Sequence, residues 1–576
     1  MKSASFLLRH RTALLRGVAL PAFLCCFVLG PLTEHAANEK AFAGTLVLAT
    51  LLLALFASAR LAFALLLVAL SFGAVELAGT LKFMYLTTPL LAPDLQYFNA
   101  GTAEVITHYP LLLGVSLAAL VLVPLLLVVS FAGEPPGLLR THARPLRAAV
   151  RVLGSLAAAC VLAACLAPRG PFSAVFNKPM WITVNDRSFI TDFFTSFNDT
   201  VITAPVIPPD VDHGLSWKLD RPLAAPAAPP DVVAVLEEST FDPRILKLCT
   251  IPVCRRHMFD ADRTTRAHGL MSVHTFGGGT WTSEFSLLTG LSHTLFGNAG
   301  LYAPYNLAPR VAFTLPKMFK EAGYRAIAVY PMSGDFLNAR NAYDYYGFDA
   351  FYDGTEYGLG WESRDADLLK VFERIYADEK RVHPDQPLFV FMLTLHQHGP
   401  HMVPLAELPA PYDKPLFPGA FKPKALDDWL NLNLGNYLER LQQSDAMLAD
   451  LQTFLFERDH PAVLMHFGDH QPSFDGAINE IPKEVPKPAR HTSDWVTYYM
   501  LKSNYAVRGR FDYPVLDIAF LGSLLLDVAG IPKNAFYQAN TLLRERCQGR
   551  YLDCKDIRTL ASYHDYVFTR LGDLHE

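Results

Sequence analysis

Charged residues are scarce in this chain. They make up 18% of its 576 positions, against a hydrophobic fraction of 51%. That balance is too apolar for an ordinary soluble protein and calls for a membrane segment. The net charge is only −5 and no basic stripe is present, so nucleic acid is not an expected partner. Internal repeats are absent. The one biased tract, 205–230, is rich in proline (Pro205, Pro208, Pro209, Pro222, Pro226, Pro229, Pro230) and reads as a semi-rigid linker. Cysteine is sparse too. Of 8 cysteines, Cys25, Cys26, Cys160 and Cys165 fall in apolar stretches, where a thiol is a small hydrophobe. The others lie in two close pairs, Cys249 with Cys254 and Cys547 with Cys554. Neither pair has the usual two-residue zinc spacing. In an extracytoplasmic domain they predict two local disulfides, with the pairing left open.

What the chain has in excess is apolar length before residue 170. Five stretches, 14–32, 41–59, 61–80, 111–132 and 148–167, each come near the ~20 residues that cross a bilayer. A cleaved signal peptide has one short stretch instead. Arg60 alone separates the second stretch from the third, which makes them a tight hairpin. Lys2, Arg9, Arg11 and Arg16 precede the first stretch, and Arg140, Arg144, Arg147 and Arg151 surround the loop between the fourth and fifth. The other sizeable loops carry only Lys40 and Lys82. Positive charge stays inside, so the N-terminus is expected in the cytoplasm and everything after residue 170 outside. The aromatic loop 81–109 is expected at the membrane interface. The stretch 170–204 (Phe172, Phe176, Trp181, Phe189, Phe193, Phe194, Phe197) reads either as a juxtamembrane amphipathic segment or as a connector packed on the soluble domain. The expected organisation is a five-helix transmembrane domain (1–169), a juxtamembrane segment and linker (170–230), and an α/β domain with a C-terminal appendage (231–576).

The chemistry lies in that last part. Four strand-like runs each end in a polar cluster. Residues 231–236 run into Glu237, Glu238 and Ser239. Residues 325–330 run into Ser333, Gly334 and Asp335. Residues 387–395 run into His396, His398 and His401. Residues 462–467 run into Gly468, Asp469 and His470. Open α/β sheets place ligand sites at the carboxyl ends of strands, so the four imply one active site. Glu238, Asp469 and His470 offer two carboxylates and an imidazole, a set suited to Mn, Zn or Mg, with the nitrogen favouring Mn or Zn. Strand alternation lets only one of Glu237 and Glu238 point inward, and either fits. In FGGGTWTSEFSLLTG (276–290) three glycines precede Thr280 and a helix-like stretch follows. A glycine-rich turn opening a helix presents N–H groups to an anion, and a hydroxyl there becomes a nucleophile once its pKa is lowered. Thr280 as a plain helix cap is the structural alternative. Thr282 and Ser283 rival it by position. The three histidines suit proton transfer to a leaving alkoxide, or a separate zinc site.

Taken together these residues resemble the lipoteichoic acid synthase and phosphoglycerol transferase group of the alkaline phosphatase/sulfatase superfamily, with phosphoethanolamine transferases as more distant relatives. The resemblance rests on Glu238-Ser239, on Thr280 with Ser283-Glu284-Phe285, on His398-Gly399-Pro400 and on Gly468-Asp469-His470, in that order along the chain. It implies an alkaline phosphatase/sulfatase-like extracytoplasmic domain. Within it a divalent metal, Mn first, is held by Glu238, Thr280, Asp469 and His470. Thr280 is the nucleophile, His398 the proton carrier, and His396 and Arg340 bind substrate. The implied reaction moves a phospholipid head group, phosphoglycerol or phosphoethanolamine, to an envelope glycan or glycolipid through a phospho-threonine. The implied location is a bacterial inner membrane. Hydrolysis at the same site, or a non-catalytic sulfatase-like protein, are the alternatives. Two departures stand out. No histidine follows Tyr330-Pro331, where the synthases have one, and Arg340 in 336–349 is offset by about one position. The formylglycine signature of true sulfatases (Cys or Ser, then x-Pro-x-Arg) is absent, so sulfatase activity is not expected.

Overall fold

The computed structural model describes residues 2–86, 89–95, 110–137, 141–176, 188–198, 202, 205–220, 228–486, 493–507, 511 and 513–575. Trp181, Pro222, Pro226 and the 96–109 part of the aromatic loop lie outside the described residues. The chain divides into two compact units, Met1–Val201 and Ile202–Glu576.

The first unit contains five helices long and apolar enough to cross a membrane: Arg11–Leu29, Ala37–Ser58, Leu61–Met84, Leu113–Gly133 and Arg144–Cys165. Their number matches the sequence reading; the first, second and fifth begin a few residues earlier, in polar flanks, and end one to three residues sooner. The hairpin at Arg60 is tight: one helix stops at Ser58, Ala59 adopts a left-handed conformation, and the next helix starts at Leu61. Arg60 is held by a bond from its Nε to the Glu134 carbonyl (2.8 Å) and lies 3.9 Å from the Phe131 ring centroid. A half-buried guanidinium in that setting has both a hydrogen-bond acceptor and an aromatic face. The short helix Phe189–Thr195 packs within this unit, with Phe194 against Phe72 and Ile190 fully buried. Within 170–204, the stretch 189–195 therefore packs on the helices of the first unit.

The second unit is built on one eight-stranded sheet in the order β4-β3-β5-β1-β6-β7-β2-β8. The strands are β1 (Asp231–Glu237), β2 (Thr265–Ser272), β3 (Arg325–Tyr330), β4 (Ala350–Asp353), β5 (Leu388–Leu393), β6 (Ala462–Gly468), β7 (Val496–Ser503) and β8 (Val515–Asp517). All pairings are parallel except those of β7, which runs against both β6 and β2. Every residue of β1, β5 and β6 is buried. That is the behaviour of central parallel strands covered by helices on both faces, and it explains their continuous apolar runs. Val232, Ala234 and Leu236 pack into the core shared with the helices Thr280–Thr289, Leu315–Glu321 and Leu521–Ala529. The opposite face meets the helices Asp365–Val382 and Lys424–Phe456, where Tyr376 and Lys380 both bond Asp231.

Both cysteine pairs close as local disulfides, Cys249–Cys254 and Cys547–Cys554. Part of the proline-rich stretch is not a free spacer. Trp217 is buried against Tyr563 and Tyr566, His213 Nδ1 lies 2.9 Å from Asp565 Oδ2, and Ser562 donates to the Asp212 carbonyl. This stretch and the C-terminal appendage therefore hold each other on the catalytic unit.

Candidate active site

The site forms where β1 and β6 end side by side. Their register pairs Glu237 with Gly468, so Glu238 and Asp469 are the next residues out on neighbouring strands. Gly468 makes this closeness feasible: a Cβ there would lie 1.7 Å from the Thr240 carbonyl oxygen. Ligand atoms of Glu238, Asp469 and His470 all fall within 4.8 Å of one another. This is the one such metal-competent group among the described residues, and the histidine cluster 396–401 does not form a second. Glu238 is the glutamate in the site. Glu237 points to the other side of the sheet, fully buried and without a hydrogen bond.

Thr280 starts the helix Thr280–Thr289, with Gly279 as its cap in a left-handed conformation (φ 85°) that a side chain would strain. Its Oγ1 donates to Glu238 Oε2 at 2.8 Å and lies 3.4 Å from His470 Nε2. The rival hydroxyls are occupied elsewhere: Thr282 donates to the Gly279 carbonyl and Ser283 to the Asp469 carbonyl. Ser239, left-handed at φ 50°, fastens the two strands. Its N–H donates to Asp469 Oδ1 (2.7 Å) and its hydroxyl to Glu238 Oε1 (2.9 Å). Behind the helix, Asp517, His274 and Ser286 fall in hydrolase-triad order, but all three are buried and Ser286 donates to the Thr282 carbonyl. They brace the helix rather than face solvent.

The electrostatics ask for a cation. Burial and the neighbouring Glu238 push the Asp469 carboxyl well above the usual range. Burial acts on Glu238 in the same sense, but His470, His398 and the hydrogen bonds from Thr280 and Ser239 outweigh it and hold Glu238 below the ordinary value. Burial lowers His470. Its Nδ1 lies 3.0 Å from the Gln471 carbonyl, which only accepts, so Nδ1 carries the hydrogen and Nε2 presents a lone pair. Asp469 Oδ2 is buried and accepts no hydrogen bond. Two crowded carboxylates, an orphaned oxygen and an oriented imidazole fit a divalent metal.

The histidines separate by environment. His398 is coupled electrostatically to Glu238, and its Nδ1 sits 2.7 Å from the Gly399 carbonyl, which leaves Nε2 of the neutral ring as the proton acceptor. The Trp361 ring flanks it at 5.1 Å. His396 lies beside Arg440, Arg364 and Gln443 and is pushed down to about 4 by burial and the two guanidinium charges. His401 is core: buried against Tyr437 and Phe474, it bonds the Gln397 carbonyl. Arg340 pairs with Asp353 at 2.8 Å and lies over Phe351. Sequence reasoning did not find three supporting groups. Thr394 Oγ1 accepts from the Glu238 N–H, Tyr343 donates to Glu284, and Trp361 stands beside His398. Tyr343 falls in the segment 336–349 and Thr394 in the run 387–395, but neither position signals a role in the site from sequence alone.

Residues 230–512 match the family model described as Sulfatase. An uncharacterized protein of Haemophilus influenzae is 31% identical over 356 residues, covering 60% of this chain and 61% of its own. A putative cyclic beta-1,2-glucan modification protein of Rhizobium meliloti is 30% identical over 257 residues, 42% of this chain and 36% of that protein. The chain thus spans less than two thirds of the length of either relative. Among solved structures, the integral membrane lipooligosaccharide phosphoethanolamine transferase A of Neisseria meningitidis superposes with a TM-score of 0.49 at 15% identity, covering 89% of this chain and 95% of that one.

Proposed function

We propose that this chain is a membrane-anchored, metal-dependent phosphotransferase that moves a phospholipid head group to an envelope glycan or glycolipid. The observation that carries the reading is the Thr280 hydroxyl, set at a helix start between Glu238 and His470 and beside Asp469. A divalent metal, Mn first and Zn or Mg next, held by Glu238, Asp469, His470 and Thr280, would lower the hydroxyl pKa and offset phosphoryl charge. With its proton released to solvent, Thr280 Oγ1 attacks the donor's phosphorus as the bond to the diacylglycerol oxygen breaks, and that oxygen takes a proton. His398, entering this step protonated at Nε2, supplies the proton, becomes neutral, and later removes one from the acceptor hydroxyl as it displaces Thr280. His396 and Arg340 are assigned to substrate binding on the family resemblance alone. The Rhizobium relative's association with a glucan supports a glycan acceptor. Five membrane helices suit a donor whose phosphate lies at the bilayer surface. By the positive-inside bias, the catalytic unit faces outward from a bacterial inner membrane.

The test is intact mass spectrometry of the full chain in detergent after incubation with Mn and mixed phospholipids, beside Thr280→Ala. An adduct on the wild type, absent from the variant, supports the covalent route, and its mass names the head group. Lipid consumed to free head group, unchanged by added glycan, turns the reading to hydrolysis. No adduct, no consumption and no bound metal refutes it.

A further inference from the structure

The loop carrying His398 leaves the sheet after β5, so its backbone groups need partners from elsewhere. One side chain supplies three of them. Arg440, in the helix Lys424–Phe456, donates from Nη1 to the His398 carbonyl (2.8 Å) and the His396 carbonyl (3.3 Å), and from Nη2 to the Pro400 carbonyl (3.1 Å). One turn on, Ser444 donates to Asp365 Oδ2 at 2.6 Å, while Asp365 Oδ1 accepts from the His396 N–H at 3.3 Å. Residues four apart share a helix face, so Arg440 and Ser444 form one cradle. The loop's carbonyls meet a cation and its N–H meets a carboxylate. A guanidinium presents its donors in a fixed planar fork, and an ammonium is a single point. The bond from Arg440 to the carbonyl of His398 itself is the shortest of the three. Burial weighs against the Arg440 charge, and Glu362 and Glu439 offset part of that effect.

We propose that Arg440 is the positioning residue for His398, fixing the histidine loop so that the imidazole keeps its place on the Glu238 side of the site. This rests on the reading of His398 as the proton carrier. Arg440 acts through the loop backbone and not on the substrate.

The test uses the full chain in detergent with Mn and bis(p-nitrophenyl) phosphate as the probe, together with amide hydrogen exchange over 394–402. Misplacement by about 1 Å costs on the order of 100-fold in rate. Arg440→Ala is therefore expected to lower kcat by ~10- to 100-fold with KM within about threefold. Arg440→Lys should recover only part of the loss, and in the His398→Ala background Arg440→Ala should cost nothing more. Exchange protection at the His396 and His398 amides should fall. Arg440→Gln, which keeps part of the stem, repeats the series should the alanine variant not fold. An additive loss in the His398→Ala background overturns the proposal, as does unchanged protection. If the wild type and Thr280→Ala turn over the probe equally, the reading of the active site fails. The exchange measurement then decides by itself whether Arg440 fixes the loop.

Discussion

Thr280 Oγ1 donates to Glu238 Oε2 at 2.8 Å across 42 residues of sequence. A hydroxyl at a helix start and a carboxylate at a strand end are thus placed to share one cation, and the neighbouring Thr282 and Ser283 are not. Thr280→Ala is expected to remove turnover by about a thousandfold or more, whereas Thr282→Ala and Ser283→Ala stay within about tenfold. Steady-state rates on a phosphodiester probe separate them, and equal losses at 280 and 283 would sink the assignment.

Chelation should destabilise the protein. A cation bound at a hundred times its Kd adds about 2.7 kcal/mol of stability. Removing it leaves Asp469 buried beside Glu238, with its carboxyl pushed well up. Asp469→Asn then has opposite effects in two conditions: it raises the melting temperature of chelated protein and abolishes the rise produced by Mn. Calorimetry with and without Mn reads both.

Gly468→Ala should be among the most damaging single substitutions, because its Cβ would sit 1.7 Å from the Thr240 carbonyl carbon's oxygen and backbone cannot yield as a side chain can. A loss above about 3 kcal/mol in chemical denaturation is expected. Gly360→Ala, which like Gly468 has no positive φ but has nothing within 4 Å, serves as the control without a clash.

Asp573 gives a pH dependence with a definite sign. Buried, and accepting from the Ala312 and Phe313 N–H groups, its carboxyl is pushed up to about 8, chiefly by burial. A carboxyl raised on folding binds its proton more tightly in the folded state. Its contribution is fully present below the unfolded pKa, near 4, and is lost as pH rises through 8. Asp573→Asn keeps the accepting oxygen and should flatten this part of the stability profile between pH 4 and 8. An unchanged profile would mean that Asp573 is ionised throughout.

The Cys547–Cys554 bridge closes a short loop, with a sequence separation of 7. Loops of this size stabilise by about 2–3 kcal/mol. Replacing both cysteines with serine should lower stability by that amount and loosen the contact between 212–219 and the C-terminal appendage, read as faster exchange at Trp217.

The strands that bear the site were legible because each is covered on both faces: β1, β3, β5 and β6 appear as unbroken apolar runs. β2 was not, since Arg266 and His268 interrupt it and its place is set by pairing with β7. The ligand set was legible because its residues follow those runs directly. Roles decided by packing were not. His398 and His401 are three residues apart, yet one is coupled to Glu238 and the other fills a gap between Tyr437 and Phe474. Arg440 looks like any polar residue of a long helix until the loop it holds is seen.

The β1–β6 pairing also sets a clock. Ser239 bonds Asp469 across 230 residues, and no shorter stretch of chain contains both carboxylates. Domains emerge from synthesis N-terminal end first, so a nascent chain has Glu238 and Thr280 long before Asp469 and His470 exist to complete the set. Every truncated or stalled product ending before β6 lacks Asp469 and His470, however well its first strands have formed. The set is complete once β6 and the two residues after it are made, ahead of β7 and β8.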